Sequence, residues 1–258
     1  MRSELNTVSP DTVRELWARC KEPIAAAGFL EEVAQILVDE MDQQFRDSLV
    51  LTRVFLTVPF QELPDDRKRR ARDLAASTRC ESLLGPHTPV LSLLATRGRV
   101  AEWNDVRSSA LHLALPLLSE SYVVGIPMMA SLLSGLGLPL TWAQHGVASA
   151  QGQTIGSEVG YFYVKDAARV VDERGRKIIS SERFVAEHGV QSVFAVGGAI
   201  FGGAVLVLIH FSRVPVSLRT VRTFMPLINL LKATMIDYCS MAYIFRPNQN
   251  AAGDRRTA

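Results

Sequence analysis

Between Asp11 and Phe45 the apolar residues recur at helical spacing. Val13, Leu16, Trp17 and Cys20 share one side, then Leu30, Val33, Ile36, Leu37, Met41 and Phe45 share another. This period predicts two helices. The first is capped by Asp11 and interrupted at Pro23 and Gly28; the second keeps Glu31, Glu32, Asp39 and Asp42 outside. From Ser48 to Phe60 the period shortens to alternation around Thr52, Arg53 and Thr57, which predicts a strand ending at Pro59. A helix then runs from Asp65 and Asp66 to about Ser77. Its Arg67-Lys68-Arg69-Arg70 run reads as a solvated face; three nearby aspartates and the lack of interleaved aromatics weigh against a nucleic-acid patch.

Further along, Val90 to Thr96 predicts a strand, and residues 110–142 a buried strand followed by an apolar helix. Ile126, Met129, Leu132, Leu133 and Leu136 mark that helix, with Gly135 and Gly137 closing it. Thr141 to Val159, rich in Gly, Ser, Gln and Ala, reads as a long loop. Tyr161 to Val164 is a strand, Ile179 to Gly189 a short capped helix, and Val190 to Val196 another strand. A last helix starts at Ser217 with Val221, Phe224, Met225, Ile228, Leu231 and Met235 on one face, and Pro226 kinks or breaks it.

Val193 to Phe211 carries no charge and is long enough for a bilayer, with a Gly198-x-x-x-Gly202 spacing. As one helix it would be a membrane anchor. As two β-prone halves joined across Gly202-Gly203 it is a hairpin at the centre of a sheet. Four glycines between 197 and 203 weaken a helix, Val205 to Ile209 is strongly β-prone, and no aromatic-plus-basic girdle flanks the run. The hairpin is the expectation.

Composition narrows the class. Apolar residues make up 48% and charged ones 21% of 258, enough for one large core, and the net charge of +2 does not call for nucleic acid or a membrane surface. Cys20, Cys80 and Cys239 are sparse and unpaired in spacing, and the N-terminus lacks a signal-peptide core, so a cytoplasmic protein is expected.

The segment FVAEHGVQSVFAVGG, followed by GAVLVLIHFSRVPVSLRTVRTFMPLINLLKATM, resembles the closing pattern of a GAF domain: helix, glycine, strand, apolar hairpin, strand, Ser-Arg-x-Pro and a long amphipathic helix. EWNDVRSSALHLALPL and IPMMASLLSGLGL are similar to segments of GAF-type sensory regions in bacterial histidine kinases and related signalling proteins. The resemblance covers most of residues 12–240. It implies an α+β fold, a GAF/PAS-like central antiparallel sheet of about five or six strands flanked by helices. The N- and C-terminal helices would pack together on one face, often as a dimer interface, with a pocket under helices and loops on the other. The division expected is a disordered N-terminus over 1–11, a single GAF-like domain over 12–245 and a disordered tail over 246–258. No histidine-kinase, cyclase or phosphatase signature follows, and the Asn-Lys-x-x-x-Phe-x-x-x-Asp-Glu pattern of cyclic-nucleotide-binding members is absent, so that ligand is not carried over. Cys80 and Cys239 do not match pocket positions for bilin attachment.

Candidate chemistry is thin. No nucleophile elbow, P-loop, HExxH motif or dinucleotide fingerprint occurs, and His87, His112, His145, His188 and His210 lie too far apart for a metal site. His145, between Gln144 and Gly146 in the glycine-rich loop, could contact a ligand or bind haem axially. Trp103, Asn104 and Arg107 combine an aromatic face, an amide and a guanidinium that can orient a small anionic or planar ligand; alternatively they build a structural turn. Tyr161 and Tyr163 line a pocket or pack in the core. The cofactor stays open, haem or another small molecule, with no motif for one. The expected function is a non-catalytic sensor that binds a small molecule and signals through its terminal helices as a homodimer, or to a partner protein in trans. Ligand-dependent ordering of the 141–159 loop would drive the signal. No nucleic-acid or membrane partner is expected. The alternatives are a partner-binding module without ligand, an enzyme using His145 or the Arg107 cluster, and a protein anchored through 193–211.

Overall fold

The computed structural model describes residues 3–109, 112–138, 159–200, 203–240 and 243–247. In chain order its elements are α1 (Pro10–Ala25), α2 (Leu30–Phe45), β1 (Leu49–Pro59), α3 (Asp65–Ser77), β2 (Pro89–Gly98), β3 (Ala114–Pro116), α4 (Glu120–Val124), α5 (Pro127–Gly135), β4 (Gly160–Val164), α6 (Glu182–His188), β5 (Ser192–Ala199), β6 (Val205–Ser212), α7 (Leu218–Thr223) and α8 (Met225–Ser240). The strands form one antiparallel sheet in the order β3-β2-β1-β6-β5-β4.

Strand alternation sends side chains into two cores. On one face Val54, Leu56, Val58, Phe194, Val196, Leu206 and Leu208 pack under α1, α2, α7 and α8. Tyr238 of α8 ties this layer together by donating its hydroxyl to the Ala27 carbonyl, 2.9 Å away, just beyond α1. On the other face Leu51, Phe55, Leu91, Leu93, Val207 and Ile209 pack against α4, α5 and α6. The α+β architecture implied by the resemblance, with terminal helices together on one face, is present.

The described residues of the run 193–211 form the antiparallel β5–β6 pair, from Ser192 with Ser212 to Ala199 with Val205. It is continuously apolar because both strands are covered on both faces, which erases the polar half of the alternation. Strand β5 extends past the expected end at Val196. Gly197 makes this possible, since a Cβ there would collide with the Leu206 carbonyl oxygen. Among the described residues no helix is long and apolar enough to cross a membrane.

Several boundaries differ from expectation. Ser9, not Asp11, caps α1 by accepting from the Thr12 amide at 3.1 Å, with Pro10 at the first helical position. The helix continues through Pro23 to Ala25, where burial of Ile24 holds its last turn. Before α1, Leu5 is fully buried and its amide donates to the Ser48 hydroxyl. Residues 243–247 also contact the body of the domain. Gly135 belongs to α5 and lets the helix end cross β4 backbone to backbone, against Tyr161, while Gly160 lies against Leu136. The break expected at Pro226 falls at Phe224, between α7 and α8. The 141–159 loop, apart from Val159, lies outside the described residues.

Candidate functional site

The middle of β1 is a β-branched, aliphatic run into which Arg53 is set. Alternation places it with Leu51 and Phe55 on the face covered by α4–α6, opposite the terminal helices. It is 7% exposed. Its Nε donates to Thr96 Oγ1 at 3.4 Å, on the neighbouring strand, and an Nη to Ser109 Oγ at 3.2 Å. Neither partner is charged, and among the described residues no carboxylate pairs with it. Burial alone pulls its titration down to about 10. The nearby His112 feels the same charge: its titration is lowered, first by desolvation and then by Arg53, although part of the side chain stays exposed. A largely apolar sheet face thus holds a cation with no counter-ion among the described residues.

The turns that carry Ser109 over Arg53 come from the Trp103–Arg107 cluster. Asn104 accepts from the Gly98 amide at 2.7 Å and ends β2. Asp105 accepts from the Arg107 amide at 2.9 Å and from Ser108, folding a 3-10 turn over Val106–Ser108. Trp103 packs edge-on to His188 at 4.6 Å and against Phe184 at 5.5 Å, under α6. Asn104 and Arg107 line an open cleft of about 960 Å³, which is bounded on its far side by Glu31, Gln35, Arg67 and Phe245.

Arg67 was hidden in a basic run that reads as solvated, yet it is 3% exposed. It pairs with Glu31 at 2.5 Å, donates to the Leu93 carbonyl at 2.8 Å, and stacks 4.6 Å from the Phe245 ring centre; its Nε has no partner among the described residues. The signal for it was present: Arg67, Ala71 and Ala75 form a buried stripe at four-residue spacing, small enough to admit a long side chain.

The other candidates lie elsewhere. Tyr161 and Tyr163 sit on β4, at the far edge of the sheet from β2 and β3, and on the terminal-helix face. The Tyr163 hydroxyl donates to the Val216 carbonyl at 2.5 Å, and the Arg222 guanidinium lies 6.0 Å from the Tyr161 ring centre. The structure therefore brings Asn104 and Arg107 together, places Trp103 beside them facing α6, and separates both tyrosines from all three. His145 lies outside the described residues.

Among the described residues no His, Cys, Asp and Glu group is placed to hold a metal ion. Thr52 and His210 form a hydroxyl–imidazole pair at 3.0 Å, but it is sealed in the terminal-helix core with Phe194 and Phe224 rings against the imidazole. Burial pushes the Cys20 thiol up to about 12 and that of Cys239 to about 11, away from thiolate chemistry.

No protein-family model and no curated protein sequence matches the chain. Among solved structures it is similar to the GAF domain from an Acinetobacter phosphoenolpyruvate-protein phosphotransferase (15% identity, TM-score 0.43, covering 91% of this chain and 96% of that one). It is similar to free methionine-R-sulfoxide reductase from Neisseria meningitidis (12%, TM-score 0.46, 93% and 99%). A third likeness is to the phycoerythrobilin-bound GAF domain from a cyanobacterial phytochrome (11%, TM-score 0.44, 91% and 98%). Likeness at this level assigns neither ligand nor activity.

Proposed function

We propose that the chain is a non-catalytic, GAF-like sensory or regulatory domain. It holds a small anionic molecule against the α4–α6 face of the sheet and communicates through its terminal helices as a homodimer. The observation that carries this reading is Arg53, a buried guanidinium whose partners among the described residues are all neutral. Taking a cation out of water costs several kcal/mol unless an anion compensates it, and such groups concentrate at functional sites. A carboxylate or phosphate on Arg53 supplies that compensation in a bidentate geometry. The route to the helices is short, because Arg53 is flanked in β1 by Thr52 and Val54, which face the other core. Exposed Leu230 and Ile236 on α8 support association through that helix. A signal further requires that the anion bind the two helix packings with different affinity.

The test is a thermal-shift panel of phosphate, small carboxylates and nucleotides, with native mass spectrometry for any retained molecule, on wild type and Arg53→Met. At least one anion stabilises wild type and leaves the variant unshifted. No stabilisation by any anion, or equal stabilisation of both proteins, overturns the anion site. A monomer at all concentrations in sedimentation overturns the dimer.

A further inference from the structure

The chain beyond α8 returns to the body of the domain. The Tyr243 amide donates to the Tyr238 carbonyl at 2.9 Å. Tyr243 and Ile244 then offer their carbonyls to the amides of Leu30 and Glu31, at 2.9 and 3.1 Å. These are free donors in the first turn of α2, so the C-terminal segment caps that helix from a distance of more than two hundred residues in sequence. Arg246 donates its amide to Glu31 Oε2 at 3.0 Å and pairs with Glu32 at 2.8 Å. Phe245 lies under the Arg67 guanidinium, and Arg67 holds Glu31.

We infer that residues 243–247 are a latch, locked by the Arg67–Glu31 pair, that ties the exit of α8 to α2 and opens without unfolding the domain. Its attachments are hydrogen bonds, ion pairs and the shallow packing of two side chains. Tyr243 is half exposed and touches Phe29 only edge-on, and Ile244 and Phe245 are only partly buried against the terminal-helix core, so opening uncovers far less apolar surface than unfolding that core, the condition for sub-global opening. The lock is a single point of failure. Glu31 accepts from both Arg67 and the strap amide, and burial disfavours the charged form of each member of the pair. Removing the Glu31 charge leaves Arg67, whose Nε has no partner among the described residues, with only the weaker field of Asp66. The strap also supplies Phe245, Arg246 and Pro247 to the wall of the cleft that Asn104 and Arg107 line, so opening widens that cleft and frees the chain leaving α8.

Hydrogen exchange on the whole chain tests this. In wild type the Leu30, Glu31 and Arg246 amides exchange faster than those of β6. Glu31→Gln and, separately, Phe245→Ala speed them about tenfold or more, as expected for a lost charge-assisted bond or stacking contact, with β6 unchanged. Strap amides that exchange in step with β6 in wild type, or a variant in which both rise together, show a fixed part of the core and overturn the latch. Unchanged strap exchange in both variants overturns the lock. None of these readouts depends on an anion at Arg53.

Discussion

Replacing Arg53 with methionine raises the stability of the anion-free protein. The folded state holds the guanidinium proton less tightly than the unfolded chain, pulled down from the ordinary arginine range to about 10. The cost is therefore fully present at neutral pH and is recovered only as pH climbs through about 10 towards the ordinary arginine range. At about 1.4 kcal/mol per pH unit it amounts to about 3 kcal/mol. Methionine fills a similar elongated volume and forgoes two hydrogen bonds, to Thr96 and Ser109, which at 3.4 and 3.2 Å are longer than charge-assisted bonds and count as ordinary ones of about 1 kcal/mol each. The net gain is about 1–2 kcal/mol, or a melting temperature higher by about 2–8 °C for a chain of this size. Calorimetry in low-salt zwitterionic buffer, with urea titrations at pH 7 for the free energy, measures it. A structural arginine behaves in the opposite way. A variant that melts below wild type without anion would show that the bonds to Thr96 and Ser109 outweigh the buried charge, and would remove the reason to assign Arg53 a ligand.

Two further outcomes follow from other parts of the fold. His210 is fully buried with its titration near 3, against about 6.5 in the unfolded chain, so its contribution is present above pH 6.5 and is lost as pH falls from there towards 3. Urea titrations at pH 7 and pH 5 will show wild type losing about 2 kcal/mol more than His210→Gln, and equal losses would mean the imidazole is hydrated and titrates normally. Gly160→Ala drives a methyl into the Leu136 backbone where α5 crosses β4 and costs about 1–3 kcal/mol, read as a lower melting temperature; an unchanged melting temperature would mean that the crossing is looser than described.

The terminal helices, the central strands and the β5–β6 hairpin were legible because each is announced by a short-range period: Val13 to Cys20 and Leu30 to Phe45 at helical spacing, Leu49 to Val58 alternating, and glycines where a helix would fail. The polar cluster at 103–107 was also visible, but as a ligand site and a local turn at once, since the same amide and carboxylate serve either role. Arg67 was misread because a basic run looks solvated residue by residue. Its burial depends on Glu31, thirty-six positions away, and on Phe245 far beyond.

Local periodicity thus determined the elements and, through the resemblance of the closing segment, the architecture they form. Which face of the sheet buries Arg53 among neutral partners, and where residues 243–247 return, depended on strand register and on packing between distant segments. Arg53 shows the difference. Its place in β1 followed from the alternation, but its neutral partners, Thr96 and Ser109, and the lack of a carboxylate beside it among the described residues came from the tertiary structure, since these neighbours arrive from other parts of the chain.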